Sequence, residues 1–244
     1  MKILLKNQGD RGLVVAASEE VACHGPKWVL RSNDERCVVE VLDGKLERLH
    51  GGVRADVYFF ERGGQRCCVK WFHDRRFVSR LRNALGIGRA YLAYKKGLQL
   101  ERLGVHAPRV LGVVRPRRFG AALLVMEMID GYQQMNLMLE DWKEHSADLN
   151  EDPRLLKLAE QFGRFAGEVH AAGVLHKDFS PRNVLVNESG AGFSFCLIDL
   201  EDVDFGNNPH SNLEHFNERM PRYLNEREFI FYLKHFNKGY IGRY

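Results

Sequence analysis

The densest concentration of reactive side chains is the run His176-Lys177-Asp178-Phe179-Ser180-Pro181-Arg182-Asn183. Two short apolar stretches follow it, VLV at 184–186 and FSFCLID at 193–199, the second ending on Asp199. Two aspartates and an asparagine at the ends of short elements suit phosphoryl transfer. That reaction asks little covalent chemistry of a protein: it needs a divalent cation between the phosphates, a positive charge on them and an aimed nucleophile. Asp178 has the chemistry to orient a hydroxyl and take its proton. Asn183 and Asp199 offer the hard oxygen donors that Mg²⁺ takes together with retained waters. The H-x-D-x-x-x-x-N spacing gains weight from its setting, with a helix before it, a hairpin after it and an acidic residue closing the second strand. The competing readings are a capped turn with solvated Asp178 and Asn183, and Asp199 as a strand-end turn former.

A phosphate cation is available upstream. Lys70 interrupts the apolar run Cys67-Cys68-Val69-Lys70-Trp71-Phe72, where a charge is costly without an anionic partner. The alternative is an edge-strand lysine whose head reaches solvent. Between Lys70 and the aspartate loop lies Leu123–Ile129, the place of the hinge strand in a two-lobed kinase, which by that analogy would offer backbone groups at Glu127 and Ile129 to an adenine; a core strand with no ligand would look the same. Lys177 and Arg182 flank the loop residues and suit acceptor or phosphate contacts, or else surface ion pairs worth about 0–1 kcal/mol. The pairs His170 with His176 and His210 with His215 lack a convincing ligand set and read as core or surface residues.

These residues need a scaffold. At 244 residues, 45% hydrophobic and 28% charged, the chain has ordinary globular composition and no need of staples. The five cysteines include an adjacent pair and no C-x-x-C, which argues against a disulfide framework or zinc ribbon and fits a reducing cytoplasm. A net charge of +4 is too weak to announce nucleic acid as a partner. The amino terminus lacks a signal-like apolar run, and no stretch has the length of a membrane span.

Residues 1–71 read as strands around Asp43-Gly44 and the hairpin signal Gly63-Gly64. The period then turns helical. Phe77, Leu81 and Leu85 form one run, and after Gly86–Gly88 a second run holds Leu92, Leu100 and Leu103 up to Gly104. RVLGVV and AALLVMEMI form a meander, with 121–129 buried on both faces. Asp152 and Pro153 open the clearest helix, with Leu155, Ala159, Phe162, Ala166 and Val169 inward and Gly173 at its end. The C-terminal stretch is helical, with Phe229, Leu233 and Phe236 inward. The organisation expected is an α+β fold with a β-rich N-lobe over 1–129 and a short, mainly helical C-lobe over 130–244.

HKDFSPRNVLV and FSFCLIDLEDVDFG, with CCVKWF upstream and GLQLERLGVHAPRVLGV between, resemble the lipopolysaccharide core kinases, the Kdo and heptose kinase group of protein-kinase-like enzymes. The likeness runs over about 40–240 and is strongest over 170–206. It implies a two-lobe protein-kinase-like fold and ATP-dependent phosphorylation of a sugar hydroxyl of the lipopolysaccharide inner core, at the cytoplasmic face of the inner membrane. It also implies Lys70 on the phosphates, Asp178 as base, and Asn183 and Asp199 on Mg²⁺.

The chain departs from the pattern in three places. Ala93 stands where the helix glutamate partner of the strand lysine is expected, Glu101 lying two turns later. Leu49-His50-Gly51-Gly52-Val53 is the nearest approach to a glycine-rich loop. Asp199-Leu200-Glu201 replaces the usual acidic-aromatic-glycine triplet, and 200–244 is too short for a phosphorylated activation segment plus a full helical lobe. A small or sugar acceptor fits. So does an anionic membrane surface, since Arg75, Arg76, Arg80, Arg82 and Arg89 surround the Phe77/Leu81/Leu85 stripe and Arg115, Arg117 and Arg118 share a loop; a solvated basic face over an ordinary core stripe is the plainer account. The alternatives to a sugar kinase are a kinase of another small molecule or protein, and a non-catalytic adaptor in envelope assembly.

Overall fold

The computed structural model describes residues 12–17, 28–33, 36–41, 47–51, 55–62, 65–73, 77–85, 87–116, 122–145, 148–150 and 152–241. The chain divides into two compact units. One holds the described residues up to Leu98 together with Pro108–Met128; the other holds Gln99–Ala107 and the chain from Ile129 onward.

The first unit is built on an antiparallel six-stranded sheet of β1 (Gly12–Ala17), β4 (Glu47–Gly51), β5 (Ala55–Arg62), β6 (Gln65–Phe72), β7 (Val110–Pro116) and β8 (Leu123–Glu127), ordered β1-β7-β8-β6-β5-β4. A separate hairpin pairs β2 (Trp28–Asn33) with β3 (Arg36–Val41). Arg62 pairs with Gln65 in the β5–β6 hairpin, while the Gly63-Gly64 signal itself lies outside the described residues. The Asp43-Gly44 signal lies outside the described residues. In β8, Leu123, Leu124, Val125 and Met126 are all buried, the pattern of a strand covered on both faces. Helix α1 (Phe77–Ala84) and helix α2 (Arg89–Arg102) follow β6. The glycine interruption separates them, and Gly104 at φ +70° closes the second. Leu81 and Leu85 are exposed, so these two positions of the α1 stripe are not core positions.

The second unit centres on helix α4 (Pro153–Ala171). Asp152 accepts the Arg154 amide hydrogen at 2.7 Å as N-cap, and Pro153 occupies a first-turn position where no hydrogen-bond donor is needed. Leu155, Ala159, Phe162, Ala166 and Val169 are buried, as the 3.6-residue period demands. Phe162 is the hub: its ring centroid lies 4.8 Å from Phe216, 5.2 Å from Phe195, 5.8 Å from Phe236 and 5.9 Å from Phe179. Around α4 stand helix α3 (Met135–His145), helix α5 (His210–Arg219) and helix α6 (Glu226–Ile241).

The inward line of α6 is Glu228, Tyr232, Phe236 and Gly239, while Phe229 and Leu233 are only half-buried. Close helix crossing causes this rotation from the expected face. A Cβ on Gly163 would meet the Phe236 carbonyl at 2.2 Å, and one on Gly239 would meet the Glu160 carbonyl at 2.0 Å, so the two backbones touch where neither has a side chain. Buried Glu228 accepts the amide hydrogens of Leu149 at 3.1 Å and Asn225 at 2.7 Å, while Asn225 Oδ1 accepts from the Glu228 amide. This is a capping box.

Candidate active site

Two small sheets position the aspartate loop within the second unit. Strand β10 (Val174–His176) pairs with β13 (Val203–Phe205), and β11 (Val184–Ser189) pairs with β12 (Gly192–Leu197) and with β9 (Gln133–Gln134). Asp178 therefore lies just past the end of β10. Asn183 closes a 3₁₀ turn, Pro181–Asn183, that enters β11, and Asp199 follows β12. Because Val184 faces Leu197 in the hairpin register, the chain at 183 and the chain at 198–199 emerge side by side.

Backbone bonds lace the two segments together. The Ile198 amide donates to Asn183 O at 3.0 Å, the Lys177 amide to Asp202 O at 2.8 Å, and the Asp202 amide to Asp199 O at 2.9 Å. His176, 1% exposed, sets Nε2 at 3.0 Å from Ile198 O. Burial pushes its pKa down, so the ring is neutral and serves as a donor strut. Phe179 is fully buried against Phe162 and Phe216, which anchors the residue after Asp178 in the core.

Asn183 donates through Nδ2 to Asp178 O at 2.8 Å and to Asp178 Oδ2 at 3.1 Å. Both amide hydrogens are thereby spent on one neighbour, and Oδ1 is the oxygen left to face a cation. Asp199 has φ 62° and ψ 53°, the left-handed conformation; it is the one non-glycine residue with positive φ among those described. That geometry costs about 1–2 kcal/mol and marks a place where backbone direction takes precedence over comfort. Among the described residues no group of three His, Cys, Asp or Glu could hold a metal by itself. One carboxylate and one amide oxygen on adjoining segments nevertheless fit Mg²⁺, which completes its shell with water and phosphate oxygens.

The Asp178 carboxylate is about half exposed, with side-chain exposure of 48%. His215 Nε2 lies 3.1 Å from Oδ1 and the Arg219 guanidinium 4.0 Å from the same oxygen. Burial pushes its pKa up, but the His215 hydrogen bond, the Arg219 charge and the Asn183 amide outweigh burial and hold it below the usual carboxylate range. Asn212, 7% exposed, accepts the His176 amide hydrogen at 2.7 Å. Asn212, His215 and Arg219 all come from α5. In the sequence His215 reads only as a core or surface residue, and nothing there singles out Asn212 or Arg219. Their i, i+3, i+7 spacing shows only that they share a helix face.

The other candidates are placed as follows. Lys70 is 8% exposed on β6, an interior strand between β5 and β8, opposite Val57 and Leu124. The edge-strand alternative is thus excluded. Its ammonium lies 5.4 Å from the Phe72 ring centroid. Ala93 is fully buried on α2 and Glu101 is exposed. Glu127 ends β8, gives its amide hydrogen to Arg109 O at 2.9 Å and pairs its carboxylate with Arg109; Ile129 is the first residue of the next segment, in the second unit. Lys177 is exposed and 3.8 Å from Asp204. Arg182 is exposed, and its carbonyl accepts from Gln134 Nε2 at 2.9 Å. The glycine candidate at 49–53 and Arg75, Arg76, Arg117 and Arg118 fall wholly or partly outside the described residues.

A family model described as the lipopolysaccharide kinase (Kdo/WaaP) family matches residues 65–229, from β6 into the first turn of α6. The chain belongs to this family. It is 27% identical to the 3-deoxy-D-manno-octulosonic acid kinase of Pasteurella multocida over 154 residues, 62% of this chain and 57% of that protein. It is 33% identical to the EKC/KEOPS complex subunit bud32 of Aspergillus fumigatus over 104 residues, 36% of this chain and 37% of that one. The chain thus spans well under two thirds of the length of these curated relatives. A solved structure of WaaP in complex with acyl carrier protein superposes at a TM-score of 0.56 with 18% identity, covering 82% of this chain and 80% of that one. The α+β architecture of this family member is therefore kinase-like, as its motifs led us to expect.

Proposed function

We propose that this chain is an ATP-dependent kinase that transfers the γ-phosphate to a sugar hydroxyl, heptose or Kdo, of the lipopolysaccharide inner core. The observation that carries the reading is the laced loop: Asp178, Asn183 and Asp199 are drawn together by the Asn183 amide and the Ile198–Asn183 backbone bond, inside the stretch that matches the lipopolysaccharide kinase family.

Asp178 accepts the hydroxyl proton as the sugar oxygen bonds to phosphorus, and the bond from phosphorus to the bridging oxygen breaks to release ADP. Asn183 Oδ1 and the Asp199 carboxylate would hold Mg²⁺, whose charge would offset that of the phosphates. By the same proposal Lys70 would contact the nucleotide phosphates, backbone groups of Glu127 and Ile129 would bond the adenine, and Lys177 and Arg182 would meet the acceptor or the transferring phosphate.

The test is phosphate transfer from ATP to a dephosphorylated inner-core acceptor, alongside thermal shift with ATP and Mg²⁺ on the native protein and Asp199→Ala. Transfer, with a Mg²⁺-dependent rise in Tm that the variant loses, is the expected result. Nucleotide binding without transfer to any core sugar overturns the acceptor. The matches to EKC/KEOPS subunits favour a second reading, in which the same loop serves another acceptor within a protein assembly; transfer to a polypeptide, with core sugar inert, would support it.

We extend the proposal to an anionic membrane surface, where such an acceptor would be met. Val78, Leu81, Leu85 and Ile87 are exposed on and just after α1, within a stretch from 75 to 100 that carries arginines and lysines and no acid; this is the composition of an interfacial helix. No helix among the described residues is long and apolar enough to cross a membrane. Co-flotation with phosphatidylglycerol vesicles, weakened by salt and by Leu81→Glu with Leu85→Glu, is expected. Equal binding to phosphatidylcholine, or none to either, rejects the surface.

A further inference from the structure

Asp178 is the one loop residue whose reactive group is half exposed, and its side chain has two torsions free to wander unless something outside the loop fixes them. The Asn183 amide on Oδ2 constrains one end of the carboxylate. The other end is met by α5, a helix far along the chain. His215 Nε2 approaches Oδ1 at 3.1 Å and Arg219 stands 4.0 Å from the same atom. These residues lie four apart and share a face with Asn212, which accepts the His176 amide hydrogen. One helix face therefore touches the loop before Asp178 and at its side chain.

The helix has firm footing. Phe216, next to His215, is fully buried, with its ring 4.8 Å from Phe162 and 5.2 Å from Phe179. His215 is itself steered from its far side, with Nδ1 4.0 Å from the Glu218 carboxylate.

The geometry points to His215 and Arg219 as positioning residues that clamp Oδ1 of Asp178, so that the remaining capacity of Oδ2 faces the acceptor hydroxyl. The inference rests on the reading of Asp178 as the base. Two donors arriving on different oxygens from different elements define the carboxylate plane, which a single donor does not. Aim is what this chemistry demands: with a loose transition state at phosphorus, proton removal lags, and the aspartate contributes chiefly by holding the nucleophile in line. Arg219 at its longer distance adds charge that keeps the clamp closed.

The experiment compares His215→Ala, His215→Gln, Arg219→Ala and Asp178→Ala with the native protein. It reads kcat and KM for the core acceptor, Kd for Mg²⁺-ATP by calorimetry, and Tm. His215→Ala should lower kcat by about 10–100-fold with nucleotide Kd within about twofold, since only aim is lost. His215→Gln, which keeps an N–H donor, should recover most of kcat, and added imidazole should partly restore His215→Ala. Arg219→Ala should cost less, about 3–10-fold.

An inactive Asp178→Ala beside a fully active His215→Ala overturns the clamp and leaves the base in place. An active Asp178→Ala overturns the base reading and the clamp with it. Equal losses in His215→Gln and His215→Ala, with lowered Tm and weakened nucleotide binding, would reduce His215 to a packing residue and also reject the clamp.

Discussion

Asn212→Leu tests the side chain by which α5 meets the loop, a side chain that also interacts with the buried His170 ring. The asparagine oxygen accepts the His176 amide hydrogen at 2.7 Å, and the two residues are 7% and 1% exposed. Leucine has similar bulk but no acceptor, so the His176 N–H is left unsatisfied where water does not reach it. An orphaned buried donor costs about 1–3 kcal/mol, which in a chain of this size lowers Tm by roughly 2–12 °C. The kinetic cost follows from place: His176 ends β10, and a displacement of about 1 Å there passes to Asp178, where misplacement costs on the order of 10²-fold.

The assay is kcat for core-acceptor phosphorylation measured beside Tm and Mg²⁺-ATP affinity. We expect kcat to fall by about 10²-fold with nucleotide Kd changed less than about threefold, and Asn212→Asp, which keeps the oxygen, to restore most of both Tm and kcat. A leucine variant with native Tm and native kcat would refute the reasoning that this bond holds the loop.

Gly163→Ala should destabilise by at least about 1–3 kcal/mol, read as denaturant midpoint, because its Cβ would sit 2.2 Å from the Phe236 carbonyl, which is backbone and cannot swing aside. Asp199→Gly should abolish Mg²⁺-dependent nucleotide binding while keeping a residue that adopts the left-handed backbone without strain; unchanged Mg²⁺-ATP affinity in calorimetry would contradict this. His170, packed against Phe179 and Tyr240, is pushed down by burial to about 4 from 6.5. The unfolded chain therefore takes up that proton first, so the contribution of His170 to stability is level above pH 6.5 and falls by about 3 kcal/mol as the pH drops toward 4. Tm measured across that range should show the fall, and His170→Gln should flatten it to the shallower slope left by His176, which is also depressed by burial.

Where chemistry and structure are local, they were legible from residues alone. The loop from His176 to Asn183, the hairpin behind it and Asp199 at the hairpin's end are contiguous, so turn chemistry and the two-residue strand period suffice to bring the three side chains to one end of one motif. The same holds for α4, whose cap, first-turn proline and apolar period are all written within its own span, and for the β5–β6 hairpin.

Tertiary structure decided whatever depended on elements meeting from afar. Lys70 belongs to an interior strand because β8, far along the chain, pairs with β6, and no local pattern distinguishes an interior strand from an edge. The inward face of α6 turned to Tyr232 and Phe236 because two glycines let its backbone touch α4, a choice that periodicity leaves among several aromatic lines. His215 reached Asp178 because Phe216 seats α5 in the ring cluster around Phe162. A histidine on a polar helix bears no mark of the carboxylate it will meet: that contact is made by the docking of the helix, and docking is a property of the packed core.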